Sequence, residues 1–453
     1  CFLQRFPAPL ALAGLLTMQG YPSSPGQVSC ASLGLTALNE HQLLSVLLHL
    51  APADALRVST TSKQEVFHRS ALMDSLWERH VRRIFAFDGD EPTGCEETTL
   101  PTWKAAYESW HQALTNVGAA DVAAAGVRQG RPAPMARWIR TWSRLHGWLK
   151  ETPAAKAIRE TLRGGAKAED ISQLEQICSS VSPMVLDCWR LVDGQAAPLL
   201  QQGATWAGGT MPVLSDRDDW SRGLFGGYQA YHHTVSDIFL PLSAAIKITL
   251  KLRGELSRVP SFENSGQLDN KLVFATSINL IKFLYVDLST GEVFVFTRKP
   301  WAPFEAAVPS DAKKGDGFAR WFEEYVRRLE SKWYVMDFIS PQESPMSLGI
   351  SLFPATPPEM TVCVTKGVEV RASPIYMPEH DAGWTYSIAL RLVGTAAERG
   401  FERCQLLSRR WEIEEEGRPE PEQVEGEGVI GLFPILVDGG WVVSRESDPH
   451  GQY

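Results

Sequence analysis

The hydrophobic pattern of this chain changes its period once. Up to about Pro341 the apolar residues recur mostly at helical spacing, with a single block of strand-like runs; beyond Pro341 they alternate in short stretches separated by glycine, proline and acidic turns. One hydrophobic layer cannot satisfy both periods, so the chain must divide into parts with separate cores. A length of 453 residues allows two to four of them. Hydrophobic residues at 44% and charged residues at 21% are ordinary for a globular protein.

The amino-terminal third reads as helices. Asn39 with Gln42 has the form of a capping box, and Leu43, Leu44, Leu47 and Leu50 follow on one face. Ala51-Pro52 breaks that helix, and Pro52 suits the first turn of the next, which carries Leu56. A third segment places Leu72, Leu76, Trp77, Val81 and Ile84 at helical spacing. Three short helices bury little surface alone, so they need a neighbour, either the next domain or another protein.

Residues 88–101 form a Pro/Gly/Glu loop, followed by a tryptophan-rich helical stretch with Trp103, Trp110, Trp138, Trp142 and Trp148, read as aromatic core anchors. Two helices broken at Pro183 and ended at Gly194 come next. Then "LVFATSINLIKFLYVDL", the turn "STGE" and "VFVFTR" read as strands, and "DGFARWFEEYVRRLES" as a closing amphipathic helix. Helices, a sheet and a closing helix describe an α+β domain. The runs after Pro341 predict an antiparallel β-sandwich.

The net charge is −9, and the segment Glu412 to Glu427 supplies seven of those charges: eight glutamates against Arg418. The remainder is near neutral, which argues against a nucleic-acid-binding face, and the acidic segment reads as a solvated loop. Seven scattered cysteines without a C-x-x-C pair imply a reducing compartment and no structural zinc. The apolar run Pro9 to Thr17 is too short to span a bilayer; residues 1–33 are expected to be a disordered leader, and the initial Cys1 suggests a fragment.

The segment "EGEGVIG", Glu425 to Gly431, has the G-x-G-x-x-G spacing of a dinucleotide cradle. That motif requires a helix opening directly after it. Leu432-Phe433-Pro434 follows instead, and Pro434 denies such a helix an interior donor, so the segment reads as extended chain. No H-E-x-x-H, G-x-S-x-G, Walker A or kinase set occurs. His232, His233 and Asp237 could be drawn as a metal site, but only one of two adjacent histidines can point inward, so packing is the reading preferred. Asp216, Asp218 and Asp219 read as a polar loop, and Cys178 and Cys188 as buried thiols. No catalytic site, metal or cofactor is expected.

Three stretches resemble known families. Residues 34–88 resemble an F-box: Leu38 matches its first leucine, Asp54 its aspartate and Leu76-Trp77 its late Leu-Trp pair, whereas Asn39 stands where proline is usual and Ala55 follows Asp54. Residues 101–335 contain "ISQLEQI", Pro183, "LVDGQ" and "GLFGGYQAYHHTVSDIFLPL", which resemble the α+β domain of the yeast cell-wall-assembly regulators. Residues 356–453 resemble the ApaG domain, a fibronectin-III-like sandwich, through "TKGVEVRASPIYMPEH", "WTYSIALRL", "CQLLSRRWEI" and "VEGEGVIGLFPILVDGGWVVS". In that family the glycines lie in a sandwich loop, so Gly426, Gly428 and Gly431 are expected to shape backbone between strands. ApaG domains run one strand further than Tyr453, which implies an incomplete sandwich with an unpaired edge.

Together the parts resemble F-box only proteins of the ApaG type. The resemblance implies a three-helix F-box, a central α+β domain and an all-β ApaG sandwich. It also implies a non-catalytic substrate receptor of a Skp/cullin/F-box ubiquitin ligase, in the cytoplasm or nucleus, with no nucleic-acid or membrane partner. Leu38, Leu43, Leu44, Leu47, Leu50, Asp54, Leu56, Leu76 and Trp77 are then the candidates for contacting the Skp adaptor. The alternative is a nucleotide- or pyrophosphate-binding protein, or a scaffold, with a vestigial F-box.

Overall fold

The computed structural model describes residues 47, 70–85, 89–96, 98–116, 135–178, 181–196, 201–206, 209–213, 222–230, 233–257, 270–298, 301–305, 317–340, 347–380, 383–413, 422–428 and 433–445. Contacts divide the chain into two units, 1–110 and 111–453.

In the first unit, helix α1 (Ser70–Phe85) realises the spacing read from the sequence: Leu76, Trp77, Val81 and Ile84 are all buried. Phe85 stacks on Trp110 with ring centroids 5.6 Å apart, in helix α2 (Trp103–Asn116), which begins where its first amide donates to Asp74 Oδ1 at 2.8 Å. His80 lies in the same core, fully buried, with Nδ1 3.3 Å from Arg83 Nη2. Burial, helped by the Arg83 charge, lowers the imidazole from 6.5 to about 4. Because the folded value lies below the unfolded one, the unfolded chain takes up the proton first. The stability is therefore present above 6.5 and is lost as pH falls towards 4, by about 3 kcal/mol at most. Hydrogen exchange of the α1 and α2 amides, corrected for intrinsic rates, should accelerate over that window in the wild type and not in His80→Phe.

The second unit begins with helices α3 (Met135–Glu151), α4 (Lys156–Thr161), α5 (Ala168–Ile177) and α6 (Pro183–Leu191), with a short strand β1 (Leu162–Gly164) between α4 and α5. Pro183 sits in the first turn of α6, where its missing N–H is harmless. Strand β2 (Val192–Gln195) pairs with β1, and β3 (Gln201–Trp206) with β4 (Gly209–Val213). Then come β5 (Gly227–Ala230), β6 (His233–Phe239), helix α7 (Leu242–Leu256), β7 (Lys271–Ser277), β8 (Lys282–Asp287), β9 (Val293–Arg298), β10 (Trp301–Glu305), helix α8 (Gly317–Glu330), β11 (Val335–Ser340) and β12 (Ser347–Ser351). Eight of these strands form one sheet in the order β10-β9-β8-β7-β6-β5-β12-β11, parallel only between β12 and β5. The sheet therefore continues to Ser351, past the limit of 335 read from the sequence. Strands β11 and β12 close it beside β5, although they lie on either side of the proline that marks the change of pattern.

Helix α8 turns Phe318, Trp321, Phe322, Tyr325 and Leu329 into the core. Trp138 packs edge-on to Phe318 and Phe322, and Phe225 edge-on to Phe239, Phe274 and Trp321. The "LVDGQ" segment locks this layer. Asp193 Oδ1 accepts from the first amide of α7, at Leu242, at 2.8 Å. The Gln195 amide is fully used: Nε2 donates to Thr161 Oγ1 at 2.7 Å and to the Arg222 carbonyl at 2.6 Å, and Oε1 accepts from the Leu224 and Phe239 amides at 3.1 and 3.0 Å. Between them Gly194 has φ +65°, and a Cβ there would lie 2.4 Å from the Leu240 carbonyl carbon. Only glycine fits that backbone position.

The remaining strands are β13 (Thr361–Thr365), β14 (Val368–Tyr376), β15 (Trp384–Leu392), a short helix α9 (Ala396–Arg399), β16 (Cys404–Gln405), β17 (Ser408–Ile413), β18 (Glu422–Glu427), β19 (Ile435–Leu436) and β20 (Trp441–Arg445). Among the described residues they form an antiparallel sheet β13-β14-β15-β20 and two ribbons, β16-β19 and β17-β18. Leu390, Leu392 and Leu436 are the buried centre, with Val368, Val370, Ile388 and Val442 packed around them. The described chain is thus mixed helix and sheet, ending in a region of strands.

Candidate functional site

Three places invite a functional reading. The first is the amino-terminal unit. Leu47, Leu76 and Trp77 are buried in the chain itself, at 2%, 1% and 1% exposure. Trp77 packs on Tyr107 with centroids 4.8 Å apart. Their burial thus needs no partner, and Trp77 packs α1 against α2. Leu38, Leu43, Leu44, Leu50, Asp54 and Leu56 lie outside the described residues.

The second is the glycine segment. Gly426 lies in β18, opposite Arg409 of β17, whose guanidinium covers it. Gly428 takes φ +47°, its amide donates to the Leu407 carbonyl at 2.9 Å, and its carbonyl accepts from Arg409 Nη1 at 2.8 Å. Glu425 to Glu427 are extended in β18, and residues 429–432, Gly431 among them, lie outside the described residues.

The third is a buried polar cluster where the central sheet meets the carboxy-terminal strands. Tyr228 of β5 donates its hydroxyl hydrogen to Glu379, which follows β14. Lys282 Nζ, at the start of β8, donates to Asp237 Oδ2 of β6 at 2.9 Å, and the ammonium lies 5.3 Å from the centre of the Tyr228 ring. All four side chains are buried. Tyr228 also packs with Val235, Phe353 and Met377, against which Ile281, Leu352 and Ile375 lie. The Ser373 hydroxyl adds a hydrogen bond to the Pro354 carbonyl at 2.8 Å.

Burial pushes the Asp237 carboxyl up, against the pull of Lys282. Burial alone would lower the Lys282 ammonium, but Asp237 and Glu379 together raise it. Burial and Glu379 hold the Tyr228 phenol far above the usual tyrosine range, so it remains a donor. Such a cluster can fasten two layers together.

Asp237 was singled out in the sequence beside His232 and His233 as a conceivable metal ligand; the structure gives its carboxylate to Lys282 instead. His232 lies outside the described residues, as do Asp216, Asp218 and Asp219. Among the described residues no group of three or more His, Cys, Asp or Glu side chains could hold a metal ion. No described helix is long and apolar enough to cross a membrane. Sequence reasoning passed over Tyr228, Lys282 and Glu379. The signal that could have found them is the lysine inside "INLIKFLYV", a charge in an otherwise apolar strand run.

Residues 377–441 match the family model of the ApaG domain. Over 435 residues the chain is 29% identical to F-box protein SKIP16 of Arabidopsis thaliana, covering 90% of this chain and 88% of that one. It is 22% identical to F-box only protein 3 of Homo sapiens over 424 residues, covering 91% of this chain and 75% of the relative. Protein ApaG of Bradyrhizobium sp. (strain ORS 278) is 35% identical over 80 residues, which are 17% of this chain and 58% of that protein. The resemblance to F-box only proteins of the ApaG-domain type, noted in the sequence, stands.

Proposed function

We propose that this chain is the non-catalytic substrate-recognition subunit of a Skp/cullin/F-box ubiquitin ligase. The observation that carries the reading is the similarity to F-box protein SKIP16 over 90% of the chain. In this reading residues 34–88 dock on the Skp adaptor and through it a cullin, in the cytoplasm or nucleus. Of the nine candidates, Leu38, Leu43, Leu44, Leu50, Asp54 and Leu56 supply the contact, because Leu47, Leu76 and Trp77 are already buried in the chain itself. A cluster of leucines provides the desolvated centre that dominates such interfaces. The central and ApaG regions hold the substrate, and ubiquitin transfer takes place on other subunits.

The test is size-exclusion chromatography of the chain with the Skp adaptor. A stable complex is expected, lost in Leu44→Asp while circular dichroism stays unchanged. A folded wild-type chain that elutes apart from the adaptor would sink the proposal. A nucleotide- or pyrophosphate-binding role gains no support from the glycine segment: the Gly428 amide is already engaged, the loop carbonyls face Arg409, and Glu425 and Glu427 would repel an anion.

A further inference from the structure

Helix α1 lies inside the segment read as an F-box, which ends at residue 88, yet its apolar side is closed by a helix beyond that limit. Ring contacts cross from one helix to the other. Trp77 lies 4.8 Å from Tyr107, and Phe85 lies 5.8 Å from Tyr107 and 5.6 Å from Trp110, centroid to centroid. Trp77, Phe85, Ala106 and Trp110 are each at most 1% exposed. Three short helices cannot bury enough apolar surface by themselves, and here the missing cover comes from the same chain.

Polar contacts repeat the link. Thr102 Oγ1 accepts from the Ala105 amide at 3.2 Å, and Asp74 Oδ1 accepts from the Trp103 amide at 2.8 Å, so α2 starts on one local cap and one lent by α1. The Arg82 guanidinium stands 5.1 Å from the centre of the Trp103 ring. The loop between the helices is also tied to α2: Trp110 Nε1 donates to the Thr93 carbonyl at 2.9 Å, and the Cys95 amide donates to Ser109 Oγ at 3.0 Å. Contacts accordingly end the first unit at Trp110, in the middle of α2, and not at residue 88.

We infer that the adaptor-docking unit of this chain extends past residue 88 to include the first half of α2, with Asp74, Tyr107 and Trp110 as positioning residues that hold α1 in the docking-competent fold. The inference rests on the adaptor reading of residues 34–88. Trp110 is wholly buried, so it acts on docking only through α1. The physical basis is linkage. An adaptor that binds only the folded unit has its apparent affinity reduced in proportion to the fraction of chains in which that unit is folded. Binding in turn stabilises every element that folds with the unit.

The experiment measures binding of the Skp adaptor to the full chain by isothermal titration calorimetry, and hydrogen exchange of the full chain with and without the adaptor. In the wild type the amides of residues 103–110 are expected to slow on binding together with those of α1, although they lie outside 34–88. Trp110→Ala should weaken binding by about tenfold or more, and Asp74→Ala by about fivefold. Trp110→Phe and Asp74→Asn, which keep an aromatic ring and the Oδ1 acceptor, should restore most of the affinity. The wild-type exchange comparison decides the matter even if Trp110→Ala fails to fold. Glu108→Ala, at an exposed position of α2, should leave binding unchanged; a loss there would mean that α2 touches the adaptor itself and would overturn the positioning role. If the wild type binds the adaptor while residues 103–110 exchange as before, or if Asp74→Ala and Trp110→Ala bind as tightly as wild type, the inference is overturned and the adaptor reading stands. If the folded wild type binds no adaptor, both fall.

Discussion

Lys282→Met is expected to destabilise the second unit by roughly 3–5 kcal/mol, the range for breaking a buried ion pair by removing one partner. Methionine fills the space of the lysine stem but leaves the buried Asp237 carboxylate without the Lys282 ammonium. Asp237 already has a folded pKa above its ordinary value of 3.8, and losing Lys282 raises it further. A carboxyl raised in the folded state takes up its proton there first. The deficit of the variant should therefore shrink as pH falls from neutrality towards 3.8, while the wild type responds less. Urea denaturation at several pH values measures this. Adding Asp237→Leu to Lys282→Met should recover much of the loss at neutral pH, because an apolar pair carries no stranded charge. A deficit independent of pH would mean that Asp237 keeps no unpaired charge.

Gln195→Leu is expected to cost about 3 kcal/mol or more, although leucine is close in shape. Four hydrogen bonds vanish, and the buried amides of Leu224 and Phe239 lose their acceptor; each unsatisfied buried group costs about 1–3 kcal/mol. The effect should be cooperative, since the one amide ties α4, β2, β6 and the segment before β5. Thr161→Val combined with Gln195→Leu should accordingly be less destabilising than the two single losses added. Denaturant midpoints of the two single variants and the double variant close the cycle. Strict additivity would show that Thr161 and Gln195 act separately.

Much of this architecture could be read from local pattern. Helix α1, the break at Pro183, strands β7 to β9 and helix α8 follow from apolar spacing and from the positions of proline and turn residues, which act over a few neighbours. The strand-rich carboxy-terminal region was legible for the same reason. The limit of the central sheet was not legible. Strands β11 and β12 join β5, more than a hundred residues earlier, and only tertiary pairing decides that. The buried cluster was invisible on the same grounds. Tyr228, Asp237, Lys282 and Glu379 come from four separate segments, and no periodicity connects a lysine in one strand with a carboxylate beyond another. Leu76 and Trp77 were noticed, but spacing alone could not tell whether they serve the chain's own core or a partner.

The clasp of Tyr228 on Glu379 bears on how such a chain is divided. Residues 377–441 match a family model by themselves, and an 80-residue stretch of the chain is 35% identical to a bacterial protein ApaG. Yet Met377 and Glu379, at the start of the matched span, are buried against Tyr228 and Val235 of the central strands. A cut made at that boundary would strip the excised piece of its footing and bare an aromatic hollow in what remains. The matched span therefore takes part of its packing from the strands before it.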